Sequence, residues 1–175
     1  MRGSHHRGFS LVEVVLAVGI FGGSVAILLA LLPGLGGRAT ASSDSLVAQR
    51  LPEAVRIELR RLAARDGFEV LASRIPVSTS SPLPPGFALV ASRDGSRLHA
   101  RDDPPPGGGG SVPAEEQYFL IELWRFPHAP LAWDPAGAVL PAMVRVSWPH
   151  RVPGLGTEIA PANRTHLAFS VSILR

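Results

Sequence analysis

Apolar positions along this chain fall into three regimes. From Phe9 to Leu32 they are nearly continuous, and the nineteen residues from Val14 to Leu32 carry no charge. As a helix rising about 1.5 Å per residue, Phe9 to Leu32 would span about 36 Å, enough to cross a hydrocarbon core of about 30 Å. From Ser43 or Asp44 to Asp66 the pattern takes a helical period, with Leu51, Val55, Leu59 and Leu62 on one stripe. Beyond Gly67 it breaks into short alternating runs, the mark of strands.

Punctuation between these regimes sharpens the expected elements. Pro33-Gly34-Leu35-Gly36-Gly37 predicts a kink or joint over 33–43. It is no phosphate loop, since no strand precedes it and no Lys-Ser/Thr follows. Asp44 or Ser45 can cap the second helix, Pro52 can bend it and Gly67 can end it. Its arginines at 50, 56, 60, 61 and 65 are interleaved with Glu53, Glu58 and Asp66, so that face reads as solvated rather than as a nucleic-acid stripe.

In the alternating region, Phe68 to Ile75 is expected as a connecting or edge strand. Phe87 to Arg93 and Ser96 to Arg101 are expected as a hairpin about Asp94-Gly95. Gln117 to Phe126 is the strongest strand, with Phe119, Ile121 and Leu123 on one face and Tyr118, Leu120, Glu122 and Trp124 on the other. Ala142 to Trp148 and Thr165 to Leu174 complete the set. Asp102 to Gly110 and residues 149–163 are rich in Gly or Pro and read as loops, the first of them mobile. The expected fold is α+β, with an antiparallel sheet packed on the C-terminal half of a long helix.

Composition narrows function mainly by exclusion. A chain of 175 residues holds one modest domain once a membrane segment is set aside. All 17 basic residues are arginines, which inflates the pI to about 10.9 while net charge is only +3, so no nucleic-acid partner is expected. Without cysteine there is no disulfide, thiolate metal site or cysteine nucleophile. His99, His128, His150 and His166 stand apart, and no hydrolase or metallopeptidase motif occurs. Asp102 and Asp103 lack the alternating acidic pattern of a calcium loop. Trp124, Trp133 and Trp148 read as core or loop-anchoring aromatics. The chain is therefore expected to be no enzyme, with no metal and no cofactor.

What remains is the beginning. Residues 1–8 are short, polar and positive, with His5-His6 running into Arg7, and positive charge before an apolar segment orients the N-terminus to the cytoplasm. An ordinary secretory signal cleaved after Ala41, at Ala39-Thr40-Ala41, would release or anchor a periplasmic binding domain. Against that, the apolar stretch exceeds the usual run of about 7–15 residues, and Glu13 sits within it. A carboxylate in a membrane helix costs roughly 2.5–3.5 kcal/mol at the centre, less near the end, and calls for a partner.

Gly8 followed by Phe9-Ser10-Leu11-Val12-Glu13-Val14-Val15-Leu16-Ala17 closely resembles the class III signal of type IV pilins and type II secretion pseudopilins. The match covers only about the first 25 residues, and Pro33 lies beyond the usual pilin proline. The resemblance implies a pilin-like fold, cleavage after Gly8 by a prepilin peptidase, N-methylation of Phe9 and an assembly role for Glu13. It implies as partners that peptidase, other pilin or pseudopilin subunits, an inner-membrane assembly platform and membrane lipid. The expected organisation is a leader at 1–8, a membrane and assembly helix at 9–32, a joint at 33–43 and a periplasmic α+β domain at 44–175.

Overall fold

The computed structural model describes residues 10–77, 87–103 and 111–175, with the side chains of 31–41 set aside. Gly8 and Phe9 therefore lie outside the described residues, as does most of the loop expected at 102–110. The chain divides into two compact units, Met1–Ser43 and Asp44–Arg175.

One helix, α1, runs from Leu11 to Asp66 and contributes to both units. Helical backbone continues through Pro33 to Gly37, where an interruption was expected. A proline removes only one donor and a glycine costs only about 1 kcal/mol, so strong helical runs on both sides can carry the helix past them. Within the first unit the segment Leu11–Ala30 is long and apolar enough to cross a membrane. Among the described residues nothing buries it, and its large side chains range from 37% exposed at Val25 to 81% at Leu11, a surface suited to lipid or to other helices.

In the second unit the predicted stripe of α1 forms the core. Leu51, Val55, Leu59 and Leu62 are fully buried, joined by Ala48. The arginines at 50, 56, 60, 61 and 65 stay exposed, and the helix ends at Gly67, whose φ of +98° favours glycine.

Phe68 to Ile75 is not a strand. It forms a second helix, α2 (Phe68–Arg74), because Leu71, Ala72 and Ile75 recur at helical spacing and all bury against the core, a period hidden in so short a run.

Five antiparallel strands follow: β1 (Ala88–Ala91), β2 (Leu98–Ala100), β3 (Phe119–Arg125), β4 (Val139–Trp148) and β5 (Thr165–Leu174). Their spatial order is β2-β1-β3-β4-β5. Phe119, Ile121 and Leu123 of β3, Val144 and Val146 of β4, and Val171 and Ile173 of β5 face the α1 stripe, all at 1% exposure or less. On the opposite face Leu120 closes a smaller cluster with Ala88 and Val90, so the centre of the sheet is covered on both sides. β4 begins at Val139 rather than Ala142. Its partner β3 ends at the Arg125–Ala142 pair, so Pro141 meets only β5 and its missing N–H costs no ladder bond on the β3 side.

The β1–β2 connection is longer than a two-residue turn. Ser92 N–H donates to Arg97 O at 3.0 Å, and the Asp94 carboxylate accepts from Ser92 Oγ, Ser96 N and Ser96 Oγ. These bonds hold the Asp94 carboxyl down at about 2. Gly95, at φ +71°, packs against α1, where a Cβ would lie 3.1 Å from Val47 Cγ1.

Candidate functional site

Of the three residues singled out at the N-terminus, only Glu13 is described. It lies in the first turn of α1, and its N–H donates to Ser10 Oγ at 3.2 Å and to Ser10 O at 3.0 Å. Ser10 is thus the N-cap, and Ser10-Leu11-Val12-Glu13 carries the residue pattern of a capping box. An acid here also favours the positive end of the helix dipole. Among the described residues the Glu13 carboxylate has no hydrogen-bonding or ionic partner, and it stands at the head of an otherwise uncharged apolar segment. The N-cap signal is legible in the sequence, although the expectation for Glu13 rested on its charge and on the resemblance to the class III signal.

In the second unit, sequence reasoning missed an ionic cluster built on a buried carboxylate. Asp44 is 6% exposed and does not cap a helix, because α1 is already formed there. Its carboxylate instead accepts Arg93 Nε at 3.0 Å, Arg93 Nη2 at 3.1 Å and the Tyr118 hydroxyl at 2.7 Å. The Arg93 guanidinium also lies 4.8 Å from the Tyr118 ring centre. Burial, and then the hydrogen bond to Asp44, push the Tyr118 hydroxyl up to about 12. This cluster ties the part of α1 at the start of the second unit to the β1–β2 loop and to the residue before β3. The available signal was position: Asp44, Ala48, Leu51 and Val55 share one helical stripe, so Asp44 extends the buried face.

Beside this cluster lies a cleft of about 370 Å³, lined among others by Ser92, Arg97, Glu115, Gln117, Tyr118 and Arg151. Its charges are largely internal: Arg97 pairs with Glu116, and Arg151 Nη1 donates to Gly156 O at 2.8 Å. Ser92 Oγ in its lining donates to Asp94 Oδ1 at 2.6 Å, and its lining contains no histidine. Nor do the described residues contain three or more His, Asp or Glu side chains placed to hold a metal ion.

The histidines are dispersed. His99 is buried on β2 with Nε2 accepting the Val112 N–H at 2.9 Å and Nδ1 2.8 Å from Ala100 O, which assigns the proton to Nδ1. His128 and His166 are exposed. Trp148 is buried against Phe119, with ring centres 5.8 Å apart, while Arg145 and Arg125 stack on Trp124 and Trp133. Asp103 pairs with Arg65, which also binds Asp66, and this holds both carboxyls below their ordinary value.

His150 is 2% exposed, and neither ring nitrogen has a hydrogen-bond partner. Burial, reinforced by Arg164, lowers its pKa to about 4. The unfolded chain, titrating near the ordinary 6.5, then binds more protons than the folded one between these values, so stability is full above 6.5 and falls as pH drops towards 4. The expected loss is about 2 kcal/mol between pH 6.5 and 4.5, or roughly 5–10 °C in Tm. His150→Gln should flatten that slope, and parallel melting curves for the two proteins across this range would contradict the assignment.

The described residues thus define a class: an α+β body following a helix long and apolar enough to cross a membrane, with one carboxylate at the start of that helix. The chain matches no family model, no curated protein and no solved structure.

Proposed function

We propose that this chain is a structural subunit of a type IV pilus-like filament or type II secretion pseudopilus: a minor pilin or pseudopilin that is cut after Gly8, methylated on Phe9 and assembled through Glu13. The observation that carries the reading is the lone carboxylate. Among the described residues Glu13 stands without a partner, in the first turn of a helix whose next charge lies beyond a full membrane span. Cleavage after Gly8 creates an α-amino group at Phe9, which stays cationic when methylated. It lies four residues before Glu13, a separation of about 6 Å if the helix extends back to Phe9 in the assembly.

When such helices bundle, the amine of one subunit neutralises the Glu13 of another, so apolar surroundings favour the paired register. The α+β body is compatible with a pilin-like domain, in which a helix stripe closes one face of an antiparallel sheet. On this reading the chain is acted on chemically rather than acting. It is an inner-membrane protein with a cytoplasmic leader and a periplasmic body, and its partners are a prepilin peptidase, an assembly platform and neighbouring subunits.

Gly8→Ala is expected to leave an unmethylated precursor, eight residues longer, in the membrane. Normal removal of residues 1–8 from that variant, read as intact mass, would contradict the proposal.

A further inference from the structure

The connection between β4 and β5, residues 149–164, brings no apolar side chain into the core. Of its side chains only His150 and Arg164 are buried, while Val152 and Ile159 are half-covered and Leu155, near its tip, is 77% exposed. Backbone bonds tie it to the rest of the second unit from His150 N–H to Tyr118 O at 2.7 Å and from Gly154 N–H to Glu115 O at 3.2 Å. Within itself it is closed more fully. Val152 N–H donates to Thr157 O, Ile159 N–H donates to His150 O, and Arg164 donates both to Ile159 O and to the Glu158 carboxylate, each at 2.8 Å. A segment bonded in this way, with few buried apolar contacts, opens as one piece at less cost than global unfolding.

The charge state of His150 decides how well the closed position holds. Neither ring nitrogen meets a partner, and a protonated ring would carry two N–H donors into that setting instead of one. The Glu158 carboxylate lies 4.0 Å from Nδ1, beyond hydrogen-bond reach, and is already held by Arg164. Three guanidinium groups act against a positive ring: Arg164 before β5, Arg151 on the segment itself and Arg101 after β2, with Glu158 acting the other way. In an open position water meets both donors and weakens the repulsion, so protonation and opening favour each other.

We infer that residues 149–164 form an acid-released flap: protonation of His150 detaches them as one piece from a body that stays folded, and removes the wall of the cleft made by Arg151, Pro153 and Gly154. Because the ring holds its proton more weakly closed than open, the flap is shut above pH 6.5 and loosens progressively below it. The flap lies wholly within the second unit and does not depend on the proposed function.

Hydrogen–deuterium exchange of the full-length protein in detergent micelles tests this on peptides within 150–164. Corrected for the intrinsic pH dependence of amide exchange, their protection is expected to fall about fortyfold from pH 6.5 to 4.5, the linkage of one proton held at about 4 closed and 6.5 open. In about 1 M urea the same protection should be unchanged, because opening the flap exposes little surface, whereas opening by global unfolding alone would lose about tenfold or more. His150→Gln should flatten the pH dependence. Should that variant not fold, NMR of the parent's His150 ring proton reads the step directly, with a midpoint expected well below the ordinary 6.5. A midpoint at the ordinary value, a urea loss of the global size, protection indifferent to pH, or an undiminished dependence in His150→Gln would each overturn the flap.

Discussion

Glu13→Gln is expected to leave the chain processed, inserted and helical, yet to lower its incorporation into filaments by about tenfold to a hundredfold. The upper figure follows from the cost of an unpaired charge at the membrane centre, roughly 2.5–3.5 kcal/mol on insertion scales at about 1.4 kcal/mol per factor of ten, and the position of Glu13 near the helix start lowers it. On the proposed function, removing the carboxylate would leave the neighbouring subunit's amine without its counter-charge where the helices bundle. Glutamine is the informative replacement because it serves as well as glutamate at the third position of a capping box, opposite Ser10. Helix capping is therefore retained while charge is lost. Comparing sheared filaments with membranes by quantitative immunoblot reads the result. Normal incorporation of Glu13→Gln would remove the assembly role.

Asp44→Ala is the second large effect, and it concerns folding. The Asp44 carboxylate is the common acceptor for Arg93 and the buried Tyr118 hydroxyl. Truncating it frees Arg93 into water, since that side chain is already half exposed, but strands the Tyr118 hydroxyl against the core. One lost charge-assisted pair and one unsatisfied buried hydroxyl together cost about 3 kcal/mol, or roughly 10–15 °C in Tm. Asp44→Asn should recover part of this, because its amide oxygen can still accept from Tyr118. A thermal melt of Asp44→Ala within 3 °C or so of the parent would show that the cluster adds little to stability.

How far the sequence reveals the fold depends on how many residues repeat a signal. The α1 stripe from Leu51 to Leu62 and the strands β3 and β5 were legible because several side chains state the same period. α2 was not, since seven residues that are half apolar fit a helix or a strand equally well, and only burial of Leu71, Ala72 and Ile75 decides. The expected break at Pro33 to Gly37 overstated how far local breakers act against long helical runs on both sides. Asp44 was misassigned because a polar residue near an expected helix start suggests a cap, whereas its place on the buried stripe pointed inward. At the N-terminus, the chemistry argued for Gly8, Phe9 and Glu13 comes from residue identity and order. Geometry adds only the Ser10 cap and a Glu13 carboxylate without a partner among the described residues.

The central claim is that this chain is matured at Gly8 and built into an assembly through its new N-terminus. Mass spectrometry of the N-terminal peptide from native membranes tests it most directly. The account predicts a peptide beginning at Phe9 and heavier by one methyl group, while a peptide beginning at Ser42 would contradict it.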